Sequence, residues 1–341
     1  MIPRRAARPG RRRVLLIGFA TLALALTAVA QSGRHGGEHG PPWDATVATS
    51  QSFRVGGATI QVDFTRGSFD LRTPQILKWV ETAASSVSTY YGRFPVPRDR
   101  ILIQPMAGDS GVLSGTTWGD VGGFPAFSRM RVGQHTTLDD LTRDWTMTHE
   151  LVHTAFPSQS DEHHWIEEGI AVYVEPIARA QNGLLTPEKI WADMVRDMPK
   201  GDPQPGDEGL DRTHTCGRTY WGGAQFCLLA DVTLREQTHN RFGLEDALRA
   251  IADAGGTIDQ TWPIERAFKA GDRATGTHVL ERLYASMKDK PVPVDLAAIW
   301  KKLGIVRTGE DEVRFDDDAP EAAIREAITR TPVWGRIAAQ P

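Results

Sequence analysis

The sequence predicts an α+β protein, with a mixed α/β N-terminal lobe over residues 43–157 and a mainly α-helical C-terminal lobe over residues 158–341. Three observations predict it. Alternating apolar residues and Gly-rich turns occupy much of the first half. After Pro157 the pattern changes to segments with apolar residues three and four apart. Between the two halves lies one amphipathic stretch, Asp144–Phe156 (DWTMTHELVHTAF), with two histidines and a glutamate inside five residues.

Residues 1–30 stand apart from both lobes. Six arginines, Arg4, Arg5, Arg8 and Arg11–Arg13, precede an apolar run from Val14 to Val29, and Ala28-Val29-Ala30 offers a small-residue cleavage site. This reads as a signal peptide for export, secreted or periplasmic. The run is about 17 residues, the short limit for a membrane span, so an uncleaved anchor is the alternative and the one route to membrane contact. Residues 31–42, QSGRHGGEHGPP, read as a flexible linker, with His35 and His39 as solvated side chains. Without residues 1–30 the chain has 33 basic against 43 acidic residues, a net charge of −10 in place of −4. An acidic protein without a basic stripe is not expected to bind nucleic acid.

From Phe53 the elements follow in order. Phe53, Val55, Ile60, Val62 and Phe64 alternate around Gly56-Gly57, the pattern of a hairpin. Thr73–Tyr91 spaces Ile76, Val80, Ala83, Val87 and Tyr91 at helical intervals behind Thr73-Pro74. Arg100–Gln104 is a short apolar strand, and residues 108–133 read as a Gly/Ser/Thr-rich loop leading into a strand around Gly123–Val132. Helices are expected at Trp165–Ala180 (with Ser160 or Asp161 before it as a cap), Pro187–Met198, Tyr220–Glu236, Leu244–Ala254, Ile264–Ala270, His278–Lys288 and Val294–Leu303. The tail's Asp316-Asp317-Asp318 reads as a solvated turn, because calcium-loop spacing is absent.

On one helix, Leu138, Leu141, Trp145, Val152 and Phe156 would form a buried stripe, and His149 and His153 would border it about 40° and 80° round from Trp145. Histidines four apart lie one above the other, so both imidazoles reach one metal ion. His149-Glu150-Leu151-Val152-His153 is thus the H-E-x-x-H arrangement of zinc hydrolases, with Glu150 as base. Two surface histidines on an amphipathic helix are the bland alternative. A catalytic zinc also needs a third protein ligand and an open position. The metzincin solution would need Gly at position 156 and His at 159, and the chain has Phe156 and Gln159. The remaining candidates lie in His164-Trp165-Ile166-Glu167-Glu168-Gly169-Ile170-Ala171, where Glu168 shares a helix face with Val172 and Glu175, and Glu167 is turned by about 100°.

H-E-L-V-H followed by W-I-E-E-G-I-A and Y-V-E resembles the gluzincin metallopeptidases, in particular their aminopeptidase N and glycyl aminopeptidase branch. Arg218-Thr219-Tyr220-Trp221-Gly222-Gly223-Ala224 is similar to that branch's Y-x-x-G segment. The resemblance implies a thermolysin-like zincin catalytic domain with one Zn2+ per chain, held by His149, His153 and Glu168. It implies Glu150 as general base and Tyr220 as hydrogen-bond donor to the tetrahedral intermediate, acting on a peptide or protein substrate. The loop Thr154–His164 is shorter than is usual there. In the same branch an edge-strand motif carries a Glu that grips the substrate's free amine. Its best counterpart is Gly122-Gly123-Phe124-Pro125-Ala126, with Pro125 in place of that Glu, so the sequence predicts cleavage that does not depend on a free N-terminus. Glu175 is a candidate partner for a metal-bound imidazole, and His214 for a second oxyanion donor.

Cys216 and Cys227 are the two cysteines, and an exported chain favours a disulfide between them. The expectation is therefore an exported zinc-dependent metallopeptidase. A catalytically idle zinc fold that serves as a binding module, or a zinc hydrolase of a non-peptide substrate, is the alternative. Glu150 argues against the idle fold, since a structural site needs no base.

Overall fold

The computed structural model describes residues 41–333. The expectations for residues 1–30 and most of the linker fall outside them, as does the end of the tail.

The first half is a five-stranded mixed sheet with one long helix against it. β1 (Val47–Val55) and β2 (Ala58–Thr65) form the expected hairpin. α1 (Thr73–Tyr91) starts with Pro74 in its first turn and stops at Gly92, whose φ of 75° only glycine adopts cheaply. It returns the chain to β3 (Arg98–Met106), parallel to β2. β4 (Val112–Val121) and β5 (Phe124–Gly133) form a second hairpin, and β5 inserts parallel to β3. The order β1-β2-β3-β5-β4 leaves β4 on an edge. Ile60, Val62, Ile101, Ile103, Met130 and Val132 bury one sheet face against α1, and Leu102, Val121 and Phe127 form a small cluster on the other.

Where the sequence predicts loop between residues 108 and 122, the chain forms strand β4. Its Gly, Ser and Thr content hides a strand whose register is set by pairing with β5. The connecting Gly122 and Gly123, with φ of 58° and 80°, form the tight turn of that hairpin.

The stretch expected as one helix from Leu138 is two. α2 (Leu138–Arg143) ends at Asp144, which is extended, and the Asp144 carboxylate accepts hydrogen bonds from the Thr146 and Met147 N–H groups that open α3 (Thr146–Val152). The break turns the predicted stripe outward at its start: Leu138 is 50% exposed and Trp145 36%. Leu141, Val152 and Phe156 remain buried.

α4 (His164–Gln181) follows a 3-10 turn at Asp161–His163 and is buried on most sides. α5 spans Pro187–Asp197, and a π-helical turn at Gly217–Gly222 runs into α6 (Gly223–Gln237). Gly169 of α4 meets Gly223 so closely that a Cβ on Gly169 would come within 2.4 Å of the Gly223 Cα. The two elements therefore touch backbone to backbone. α7 (Leu244–Asp253), α8 (Ile264–Thr275), α9 (Val279–Met287) and α10 (Leu296–Leu303) complete the predicted series. A two-stranded ribbon, β6 (Ile305–Arg307) and β7 (Val313–Phe315), and α11 (Ala322–Thr329) were not foreseen. One continuous apolar core runs from the sheet through α1, α3 and α4 to the C-terminal helices. No helix among the described residues is long and apolar enough to cross a membrane.

Candidate metal centre

His149 sits in α3 and His153 opens the 3-10 turn that continues it, so the i, i+4 relation survives the change of helix type. Their rings stand 5.0 Å apart at 85°. α4 crosses beside them and presents Glu168, whose Oε2 lies 3.1 Å from His149 Nε2 and 3.8 Å from His153 Nε2. One ligand atom from each of the three residues lies within 4.8 Å of the others. Donors about 2.0–2.2 Å from a tetrahedral zinc lie roughly 3.3–3.5 Å from one another, so the donor spacing and the N, N, O donor set both fit that ion.

Glu167 faces elsewhere. Its Oε1 accepts from the backbone N–H of Gln159, tying the short loop Thr154–His164 to α4, and its Oε2 lies 3.2 Å from His164 Nδ1. His164 bridges the two glutamates, its Nε2 being 3.2 Å from Glu168 Oε1. Burial opposes the charge of the His164 ring, but the two carboxylates raise its pKa to about 10. Burial also opposes ionisation of Glu168, yet His149, His164 and His153 together hold its carboxyl well below the usual range. Glu168 is thereby kept anionic, as a ligand must be.

Glu150 points from α3 to the edge strand. Thr117 Oγ1 donates to Glu150 Oε2 at 2.8 Å and is itself 3.0 Å from Ser128 Oγ. Gly115 makes room for this contact, since a Cβ there would lie 2.4 Å from Glu150 Cγ. Burial raises the Glu150 carboxyl to about 7, against the opposing pull of His149 and Thr117. These groups line a cleft of about 390 Å³ bordered by β4 from Gly115 to Val121 and also by Gln159, His164 and Glu167.

Other sequence candidates fall differently. Tyr220 lies buried in the π-helical turn and is not among the cleft-lining residues. Glu175 pairs with Arg179 at 2.9 Å, and His149 Nδ1 has no hydrogen-bond partner among the described residues. His214 is exposed. His163 instead meets the Tyr284 hydroxyl at 3.0 Å. Gly122–Ala126 does not line the cleft: it is the β4–β5 turn and the start of β5. The strand beside the centre is Gly115-Thr116-Thr117-Trp118-Gly119. The isolated Gly115 was the available signal, since glycine inside a strand marks close approach. Cys216 and Cys227 are unbonded, one exposed and one buried. The continuous helical path between them separates the two by about 16 Å, beyond any disulfide.

No family model matches the chain, and no curated protein matches it. Its fold is similar to that of a protein of the aminopeptidase N family. Among solved structures, an aminopeptidase N family protein from Idiomarina loihiensis aligns over 80% of this chain with a TM-score of 0.54 and 13% identity. An M1 zinc metallopeptidase from Deinococcus radiodurans aligns over 72% with a TM-score of 0.45 and 12% identity. The chain spans about half the length of these structures, 53% and 52% of them.

Proposed function

We propose that this protein is a zinc-dependent peptidase of the zincin type, with its metal on His149, His153 and Glu168. The observation that carries the reading is the convergence of those three donors beside a buried carboxylate, Glu150, at a cleft edged by an open strand. Zinc there would supply a Lewis acid that polarises a carbonyl and makes water acidic. The chain's own residues do the rest. Glu150 takes a proton from water and hands it to the leaving amine, with Thr117 fixing its carboxylate. Glu167 and His164 hold the loop and Glu168 in place. The free edge of β4 pairs with an extended peptide. Tyr220 is assigned the oxyanion hydrogen bond on its sequence resemblance, and Tyr220→Phe should lower the rate without loss of zinc.

The test is hydrolysis of a mixed peptide library by purified protein, with and without chelator. Cleavage that stops on chelation and returns with zinc supports the reading, and zinc binding without cleavage defeats it. The finer proposal of export rests on residues 1–30. N-terminal sequencing of the mature protein should begin at Gln31-Ser32, and an intact Met1 in membrane fractions would establish the anchor instead. The division into a mixed lobe to residue 157 and a helical lobe beyond it belongs to the same proposal.

A further inference from the structure

The edge strand β4 carries two different faces past the metal centre. Gly115 and Thr117 turn toward Glu150: a Cβ on Gly115 would meet its Cγ at 2.4 Å, and Thr117 Oγ1 donates to its Oε2. Side chains alternate along a strand, so Thr116 and Trp118 face the other way. Their partners across the ladder are Arg129 and Phe127 of β5, which share that face. The Trp118 and Phe127 rings stand 5.8 Å apart, and the Arg129 guanidinium lies 5.4 Å from the Trp118 ring centroid. Arg129 Nη2 also reaches Thr116 Oγ1, at 3.5 Å. Arg129 does not line the cleft itself; it starts one strand in from the edge and extends over two residues of β4.

This guanidinium lacks a counter-charge. Arg129 is half-buried, its Nε has no hydrogen-bond partner, and no carboxylate forms an ion pair with it among the described residues. The buried arginines Arg100, Arg179, Arg218, Arg235 and Arg325 all have carboxylate partners. Burial and the like charge of Arg131 both work against the Arg129 cation, and Glu150, on the reverse face of β4, favours it. Arg131 is exposed and lies two residues along the same face, opposite Ser114. Asp120, further along β4 toward the turn, is exposed and makes no ion pair with Arg129 among the described residues.

A half-buried cation is stabilised by a carboxylate, and the planar fork of a guanidinium matches one with two parallel hydrogen bonds. A peptide strand added to β4 would lie about 4.8 Å beyond it, and its residue opposite Thr116 would point to the face that holds Arg129. Glu150 meets the same stretch of β4 from behind, so that residue lies beside the bond to be cleaved.

We propose that Arg129, with Thr116 and Trp118, forms a subsite for an acidic side chain, glutamate or aspartate, of the bound peptide at the residue that pairs opposite Thr116. This rests on the reading of the cleft as a peptide site. Arg129 sets specificity and takes no part in bond breaking, and Trp118 holds its guanidinium over the strand.

The test measures binding by calorimetry on the zinc-loaded Glu150→Gln protein, which should not turn substrate over. The probes are alanine pentapeptides: one with a central glutamate and both ends blocked, one with a central glutamine and both ends blocked, and the glutamine peptide with a free C-terminal carboxylate. The glutamate peptide should bind at least about tenfold tighter than its blocked glutamine counterpart. Arg129→Gln in the same background should reduce that ratio to about twofold or less at unchanged zinc content, while Arg129→Lys keeps part of it. Equal binding of the two blocked peptides overturns the proposal, as does a ratio that survives Arg129→Gln or failure of all three to bind. A gain confined to the free C-terminal carboxylate overturns it too, because the site would then read a chain end. If the preference appears but the unaltered protein cleaves none of the peptides, the subsite stands and the hydrolytic reading fails.

Discussion

Gly115→Ala probes the geometry of the centre without touching a proposed ligand or base. The new Cβ would lie 2.4 Å from Glu150 Cγ and 2.7 Å from its Oε1, where non-bonded carbons need about 3.5–4.0 Å. Either β4 or the Glu150 side chain must move by roughly 1 Å. Glu150 is pinned by Thr117, so movement weakens a charge-assisted hydrogen bond contributing about 1.5–3 kcal/mol. Overpacking costs about 1–3 kcal/mol of stability as well. Displacement of a reacting group by about 1 Å costs on the order of 10²-fold in rate. The expected variant is folded, has a lower Tm, keeps one zinc by elemental analysis and hydrolyses peptide about 10²-fold more slowly. Adding Glu150→Gln to it should cost much less than the same change in the unaltered protein, because the base has already been displaced. An unchanged rate in Gly115→Ala, at full zinc content, would refute the claim that Glu150 works from its position against β4.

Three further outcomes are expected. Glu168→Gln should lose zinc on dialysis while Glu167→Gln retains it and loosens the Thr154–His164 loop, as protease sensitivity would report; the reverse pattern rejects the ligand assignment. Asp99 of β3 is fully buried with no side-chain partner among the described residues, and burial raises its carboxyl to about 7 against the weaker opposing pull of the Arg100 backbone N–H. Between about pH 4 and 7 the unfolded chain gives up this proton while the folded protein keeps it, so Asp99 removes stability as pH rises through that window, by on the order of 4 kcal/mol at its top. Asp99→Asn should therefore gain stability over the unaltered protein progressively from pH 4 to 7 in denaturant titrations, and a constant difference across that range would show the reasoning wrong. Lastly, native protein should give one alkylated cysteine, Cys216, with Cys227 reacting only on unfolding; a mass showing a disulfide would contradict the separation along the helix.

Local pattern was enough for much of this molecule. The β1–β2 hairpin, α1 and the run of C-terminal helices follow from periods of two and 3.6 and from the Pro and Gly that punctuate them, since those signals are written within a few residues. The i, i+4 spacing of His149 and His153 likewise needed no fold to be read. What lay beyond the sequence were relations between distant segments. Asp144 breaks a helix that periodicity runs straight through, because its carboxylate caps the next one and accepts from the Trp79 indole 65 residues away. β4 has weak strand propensity and exists through its pairing with β5, and only that pairing shows that Gly115-Thr116-Thr117-Trp118-Gly119, and not Gly122–Ala126, borders the cleft. Helix facing favoured Glu168 over Glu167, but the crossing of α4 past α3 decided which carboxylate meets the histidines. The cleft also joins Pro41, Val121 and Ile258, whose proximity no period in the chain encodes, because packing sets it and packing is a property of the folded whole.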